Sequence, residues 1–169
     1  VVVCAGAASH TLLSPRGIRL PMAPVFGYSV SAPLREATHA PLTSALDVQE
    51  QITITRQGQR VRITGGAELG SPQAAHHHAT LQKLYRAVND WFPGGAQLSG
   101  PLQIWRGARP TLTDGAPVLG STVLPGIWLN TGHGAGGWAL ACGCARALAD
   151  MLSQRTPEIS VQGLEAQRF

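Results

Sequence analysis

Gly132-His133-Gly134-Ala135-Gly136-Gly137 spells G-x-G-x-x-G directly after an apolar run, Ile127-Trp128-Leu129, and directly before an Ala/Leu-rich stretch. Strand, glycine turn and helix in that order form the first unit of a dinucleotide-binding fold. The position of the unit limits what the chain can build from it. Gly132 stands 37 residues before the last residue, Phe169. A self-contained nucleotide fold needs further strands, with an acidic residue about 20 positions on at the end of the second. Glu158 falls near that distance but precedes the one remaining short apolar stretch, Ile159-Ser160-Val161. The turn is therefore misplaced for a pyrophosphate cradle of a complete doubly wound domain.

Bare backbone at a helix start still has chemical uses. It exposes several unpaired N–H groups beside the positive end of the helix dipole. Glycine also lets a flat or anionic group approach closely. The following small residues (Gly136, Gly137, Ala139, Ala141, Gly143, Ala145) let a helix over about 136–153 sit tightly against a sheet or a cofactor. A helix packed close to a sheet, with no ligand, satisfies the same pattern. His133-Gly134-Ala135-Gly136-Gly137 also resembles the oxyanion loop of esterases, which requires a serine in G-x-S-x-G. Gly27-Tyr28-Ser29-Val30-Ser31 fails that pattern at its last position, which argues against a hydrolase.

The middle of the chain has a different rhythm. Residues 51–56 and 61–64 alternate apolar and polar side chains, with Gln57-Gly58-Gln59 between them. That is a β-hairpin with one buried face. Residues 19–32 read as an extended segment. Ser71-Pro72 offers an N-cap and a first-turn proline. Leu81, Leu84, Tyr85, Val88, Trp91 and Phe92 keep helical spacing until Pro93-Gly94-Gly95, so one amphipathic helix is predicted over roughly 72–91. A strand at 102–106, an irregular loop at 107–121 and a strand at 126–130 follow. The opening Val1–Gly6 reads as a buried strand running into a small-residue turn, Gly6–Ser9. The whole is α+β, with antiparallel strands in the middle and strand–turn–helix pieces at both ends. Chains seldom open on their most hydrophobic strand, so this one is expected to be a piece of a longer protein.

Composition narrows the function. Charged residues are only 13%, about half the roughly 25% usual for soluble domains, which suggests that part of the surface faces another domain or subunit. Net charge is +4, but the basic residues are scattered singly and form no stripe for nucleic acid. No apolar stretch approaches the roughly 18 residues of a membrane span, and residues 1–10 lack the basic lead of a signal peptide. Three cysteines at unhelpful spacing suit reduced thiols in a cytoplasmic setting. Cys142 and Cys144, at i and i+2, point about 200° apart on a helix. They are expected to be small buried residues, not a metal pair or a disulfide. His76-His77-His78 fan around a helix start where ligand pairs want i, i+4, and His10, His39 and His133 show no ligand spacing. No metal site is expected.

Three segments, "VVVCAGAASHTLL", "WRGARPTLTDGAPVLG" and "IWLNTGHGAGGWALACGCARALADML", together resemble the FAD-dependent D-amino-acid oxidase/dehydrogenase superfamily, most of all its bacterial D-amino-acid dehydrogenases. The resemblance spans essentially the whole chain, in the family's order. It implies the C-terminal part of a larger flavoenzyme whose own dinucleotide fingerprint lies in an N-terminal part outside this chain. It further implies residues 1–18 in an FAD-binding α/β domain, 19–108 in an antiparallel substrate-binding domain with a flanking helix, and 109–169 back in the FAD-binding domain with the last helix.

Carried over residue by residue, the family pattern implies that Ala5, Gly6 and Ala7 form a strand-end turn along the FAD. Gly132, His133, Gly134, Ala135, Gly136 and Gly137 form the loop and helix start beside the flavin ring. Arg109 would pair with the substrate carboxylate, a role suited to its planar fork. Tyr28 lies on the pocket-lining strand and is either a substrate contact or a core tyrosine. His133 would shape the pocket edge. Cys142-Gly143-Cys144 departs from the glycine-serine pair that relatives more often carry there. The implied reaction is oxidation of a D-amino acid to an imino acid and then to the 2-oxo acid, with electrons passing to a quinone pool by peripheral association with the inner membrane. The isolated chain is expected to lack FAD, to be inactive and to self-associate. Two alternatives stay open: a glycine- or sarcosine-type amine oxidase of the same superfamily, and a non-catalytic α+β binding module.

Overall fold

A computed structural model describes all 169 residues, Val1–Phe169. In chain order the elements are β1 (Val2–Val3), α1 (Ala8–Leu13), β2 (Met22–Pro33), β3 (Ala45–Asp47), β4 (Ile52–Gln57), β5 (Arg60–Leu69), α2 (His78–Trp91), β6 (Gln103–Leu112), β7 (Val118–Ser121), β8 (Trp128–Thr131) and α3 (Gly137–Leu152). The strands form a sheet ordered β1-β8-β7 and another ordered β3-β4-β5-β2-β6. The fold class is α+β. Two compact units divide the chain: Val1–Val25 with Ala108–Phe169, and Phe26–Gly107.

The second unit grows from the alternating hairpin. β4 and β5 pair antiparallel, with Ile54 opposite Ile63 and Gln57 opposite Arg60. Period-two geometry sends Ile52, Ile54, Val61 and Ile63 to one face, where all are buried. Helix α2 covers that face with Leu81, Leu84, Ala87 and Val88. Each fully buried aliphatic side chain contributes about 1.5–3 kcal/mol. Gly65 lets the layers meet, because a Cβ there would stand 3.0 Å from Ile52 Cγ1 and 3.1 Å from Leu84 Cδ2.

The helix predicted from residue 72 begins only at His78. Ser71 instead closes a tight turn, accepting the Gln73 N–H at 3.2 Å through its Oγ and the Ala74 N–H at 3.1 Å through its carbonyl. The expected loop after Arg106 is also corrected, since β6 continues to Leu112 and β7 follows at Val118. Pro110 is tolerated because β6 is an edge strand, where a missing N–H costs no ladder bond.

In the first unit β1 pairs parallel with β8, matching Val2 to Trp128 and Val3 to Leu129. β7 pairs antiparallel with β8. Leu13, Ile18, Leu20, Leu112, Val118 and Leu129 fill one side. On the other side Cys144, Ala147 and Leu148 of α3 pack on Leu119. The opening strand is shorter and wetter than expected. The strand covers only Val2–Val3; Val1 donates to the Gly126 carbonyl and accepts the Trp128 N–H, yet it is 87% exposed because no layer covers its side chain. The turn expected at Gly6–Ser9 instead enters α1, which begins at Ala8. Cys142, expected to be buried, is exposed; only Cys144 turns inward.

Candidate cofactor and carboxylate site

Two parallel strands, β1 and β8, end side by side in the first unit, and each passes through a glycine turn into a helix. Ligands of open α/β sheets bind outside the carboxyl ends of such strands. The two turns are tied together. Ser9 and Thr131, both buried, place their hydroxyl oxygens 3.0 Å apart, and Thr131 Oγ1 donates to the Gly6 carbonyl at 3.3 Å. The structure thus brings the Ala5–Gly6 turn beside the 132–137 turn, although 125 residues separate Gly6 from Thr131.

The second turn has a shape that glycine permits. Gly132 and Gly134 have φ of +80° and +52°, in the left-handed region, before a 3-10 turn over Gly134–Gly136 leads into α3. No side chain caps the start of α3, so its first amides point outward beside the positive end of the dipole. At Gly6 nothing lies within 4 Å of where a Cβ would stand, which leaves that backbone open to an approaching group.

The end of β6 closes against this turn. Thr111 forms an antiparallel bridge with His133, and Leu112 packs over Gly132. Thr111 Oγ1 donates to the Arg109 carbonyl at 3.3 Å, so half-buried Arg109 stands two residues from the bridge. His133 has a buried Nε2 with no protein partner, and burial lowers the imidazole's pKa, favouring the uncharged ring. Asn130 carries a second such atom, Oδ1, on β8. Buried polar atoms are normally partnered, so two orphans at one strand end suit a group supplied from outside these residues.

Tyr28 belongs to the other unit and is spoken for. It is 2% exposed; its hydroxyl donates to Glu68 Oε2 at 2.9 Å and accepts the His77 N–H at 2.8 Å. Thr80 donates to the other carboxylate oxygen at 2.6 Å, and His77 Nδ1 lies 3.1 Å from that hydroxyl. This ring of bonds fixes where α2 begins, which favours the core reading of Tyr28. Tyr28→Phe leaves an amide and a carboxylate oxygen short of partners, so a loss of about 1–3 kcal/mol is expected in chemical denaturation.

Burial would raise the Glu68 pKa, but the Thr80 and Tyr28 hydroxyls, with His77 and Arg106 nearby, outweigh it and hold the carboxyl below its ordinary 4.5. A depressed carboxylate stabilises the fold fully above the unfolded value, and that contribution is lost as pH falls through the folded one. The wild-type melting temperature should therefore drop below about pH 4.5 more steeply than that of Glu68→Gln.

Ser9, Thr131, Asn130, Glu68 and Thr80 carry no motif in the sequence. They are single polar residues on α1, β8, β5 and α2, and nothing in their spacing says which residue each one meets. His76 sits edge-on to Tyr28 with ring centres 5.9 Å apart, and all three histidines at 76–78 are exposed.

Comparison with known proteins bears on what this strand end holds. Residues 1–151 match the family model described as FAD dependent oxidoreductase. The chain is 43% identical over 169 residues to a D-amino acid dehydrogenase of Cereibacter sphaeroides, and 40% identical over 168 residues to one of Bradyrhizobium diazoefficiens. It covers all of itself but 38% of the first relative, and 99% of itself but 40% of the second. Among solved structures it superposes on glycine oxidase from Geobacillus kaustophilus with a TM-score of 0.83 at 21% identity, covering 100% of this chain and 45% of that one. L-proline dehydrogenase from P. horikoshii gives 0.82 at 17% identity, covering 100% and 46%. These two likenesses show a shared fold.

Proposed function

Because the chain belongs to the DAO family of FAD-dependent oxidoreductases, we propose that it is part of a longer enzyme that oxidises D-amino acids to 2-oxo acids and ammonia. The observation that carries the proposal is the pair of parallel strand ends, each opening into a glycine turn, with the end of β6 bridged to the second turn beside Arg109. The chain spans 38% of the first D-amino acid dehydrogenase it matches, so the remaining contacts to FAD would come from the rest of the longer protein. In this reading the first unit is part of the FAD-binding domain and the second is the substrate-binding domain.

The residues present fit the cofactor: uncovered glycine backbone at Gly6 and an unpartnered buried Nε2 on His133. Ala5, Gly6 and the 132–137 turn would hold it. When bound, FAD supplies the two-electron acceptor for the hydride that leaves the α-carbon. Arg109 binds the substrate carboxylate through parallel N–H···O bonds and so orients that α-carbon. The amides at the start of α3 offer donors and dipole to negative charge. His133, half-buried with its pKa lowered by that burial, shapes the site. Loss of the hydride from the neutral amine leaves a protonated imino acid, which water hydrolyses to the 2-oxo acid with release of ammonium.

Much of the apolar surface of α3, on more than one side, requires a cover. Trp138 is 98% exposed, Leu140 40% and Leu152 44%, and large apolar patches seldom stay bare. The rest of the longer protein is the proposed cover; without it the chain is expected to self-associate and to purify without FAD. The electron acceptor in this reading is a quinone, reached by peripheral membrane association. No helix of the chain is long and apolar enough to cross a membrane.

Turnover assays on the longer protein test the substrate class. D-Alanine is expected to support reduction of a soluble quinone analogue, while glycine and sarcosine are not. Oxygen uptake with glycine or sarcosine would reassign the protein to the amine oxidases of its family. No turnover with any of the three would contradict the enzymatic reading.

A further inference from the structure

The chain joins β6 to β7 through Thr113-Asp114-Gly115-Ala116-Pro117. The turn is partly held by itself: Asp114 Oδ1 accepts the Ala116 N–H at 3.2 Å, and the Gly115 N–H donates to the Leu112 carbonyl at 3.0 Å. It is also gripped by a residue more than 50 positions away. Arg168, in a short 3-10 turn over Ala166–Arg168, donates from Nε to Asp114 Oδ2 at 2.7 Å. Its Nη2 donates to the Ala116 carbonyl at 2.8 Å and lies 3.4 Å from Asp114 Oδ1, and its Nη1 donates to the Glu165 carbonyl at 3.1 Å. The Phe169 ring lies 4.4 Å from the guanidinium carbon. All three nitrogens are engaged, and the side chain is only 14% exposed. Hydrogen bonding to Arg168 is the leading reason that the Asp114 carboxyl is held below its ordinary range.

The gripped turn is the direct continuation of the strand end that carries Arg109. Thr111 is bridged to His133, Leu112 is buried over Gly132, and the Thr113 N–H donates to the Pro21 carbonyl at 3.3 Å. Between Arg109 and Asp114 the backbone is thus fixed at successive residues, with the Arg168 clasp beyond them. We propose that Arg168 is a positioning residue for substrate binding: by clasping Asp114 and Ala116 it holds the end of β6 in register with the glycine turn and so sets where Arg109 meets the substrate carboxylate. The inference rests on Arg109 serving that role. Lysine cannot replace Arg168, because a single ammonium does not span two carboxylate oxygens and a carbonyl as a planar fork does.

The test uses the longer flavoprotein with Arg168→Ala, Arg168→Lys, Asp114→Ala, the Arg168→Ala/Asp114→Ala double variant and, as reference, Arg109→Ala. KM and kcat for D-alanine, the Ki of propionate as an unreactive carboxylate, flavin content and melting temperature are measured for each. Arg168→Ala and Arg168→Lys are expected to raise KM and Ki together by about tenfold, the scale of a slightly misplaced binding group. kcat should stay within about twofold and flavin content unchanged, and the double variant should be no worse than Arg168→Ala. Unchanged KM and Ki with a lowered melting temperature would overturn the proposal, leaving a clasp that only stabilises. If Arg168→Ala does not fold, Arg168→Lys carries the same readouts. Arg109→Ala separates the two failures: without effect on KM and Ki, it removes the carboxylate reading itself. With both raised in Arg109→Ala and unmoved in the Arg168 variants, it removes the clasp alone.

Discussion

Arg109→Ala in the longer protein should lower kcat/KM for a D-amino acid by about a hundredfold. Removing one partner of a desolvated, hydrogen-bonded charge pair typically costs about 2–5 kcal/mol, and each 1.4 kcal/mol is tenfold. The loss should fall mainly on KM, because a carboxylate is bound alike before and during hydride transfer. Arg109→Lys should recover only part of it, since the ammonium keeps the charge but loses the parallel pair of bonds. The contrast between the substrate and its carboxamide is the internal control. The wild type should discriminate strongly against the amide, and Arg109→Ala should not. Equal kcat/KM values for wild type and Arg109→Ala would show that the carboxylate is held elsewhere.

Gly132→Ala should be the most damaging single methyl group in the glycine turn. Its φ of +80° already costs an L-residue about 1–3 kcal/mol. The added Cβ would also stand 2.9 Å from Leu112 Cγ and closer still to Cδ1. Leu112 is 2% exposed and packed among Leu13, Ile18, Leu20, Val118 and Leu129, so it has nowhere to swing. Overpacking of this kind costs about 1–3 kcal/mol more, for a total of about 2–6 kcal/mol in denaturant titration. Gly115→Ala provides the comparison: φ is similar at +76°, but nothing lies within 4 Å of its Cβ position. It should lose only the strain. If the two variants unfold together, close packing of the glycine turn against β6 is not what holds it.

The legible parts of the fold were those with a period. Ile52 and Ile54 alternate, Leu81, Leu84 and Val88 recur at helical spacing, and the elements lie where those rhythms place them. What failed was local chemistry overridden by distant partners. Ser71-Pro72 reads as a helix start, yet Tyr28 takes the His77 amide and α2 begins at residue 78. Pro110 reads as a loop, yet an edge strand accommodates it. Val1–Val3 read as buried, yet burial depends on a covering layer that these residues do not supply. The same limit applies to the site. The glycines at 132–137 and Arg109 stood out as residue types, whereas the Ser9–Thr131 pair and the Arg168–Asp114 clasp join residues whose spacing carries no pattern.

The central claim is that the paired strand ends hold a flavin that oxidises an amino acid bound through Arg109. Anaerobic titration of the purified longer protein with D-alanine, followed by visible absorbance, tests it most directly. The account expects a flavin spectrum before titration, bleaching on addition of D-alanine, and far weaker bleaching in Arg109→Ala at the same concentration. A protein that purifies without flavin and acquires none when FAD is added, or one whose flavin D-alanine leaves oxidised, would contradict it.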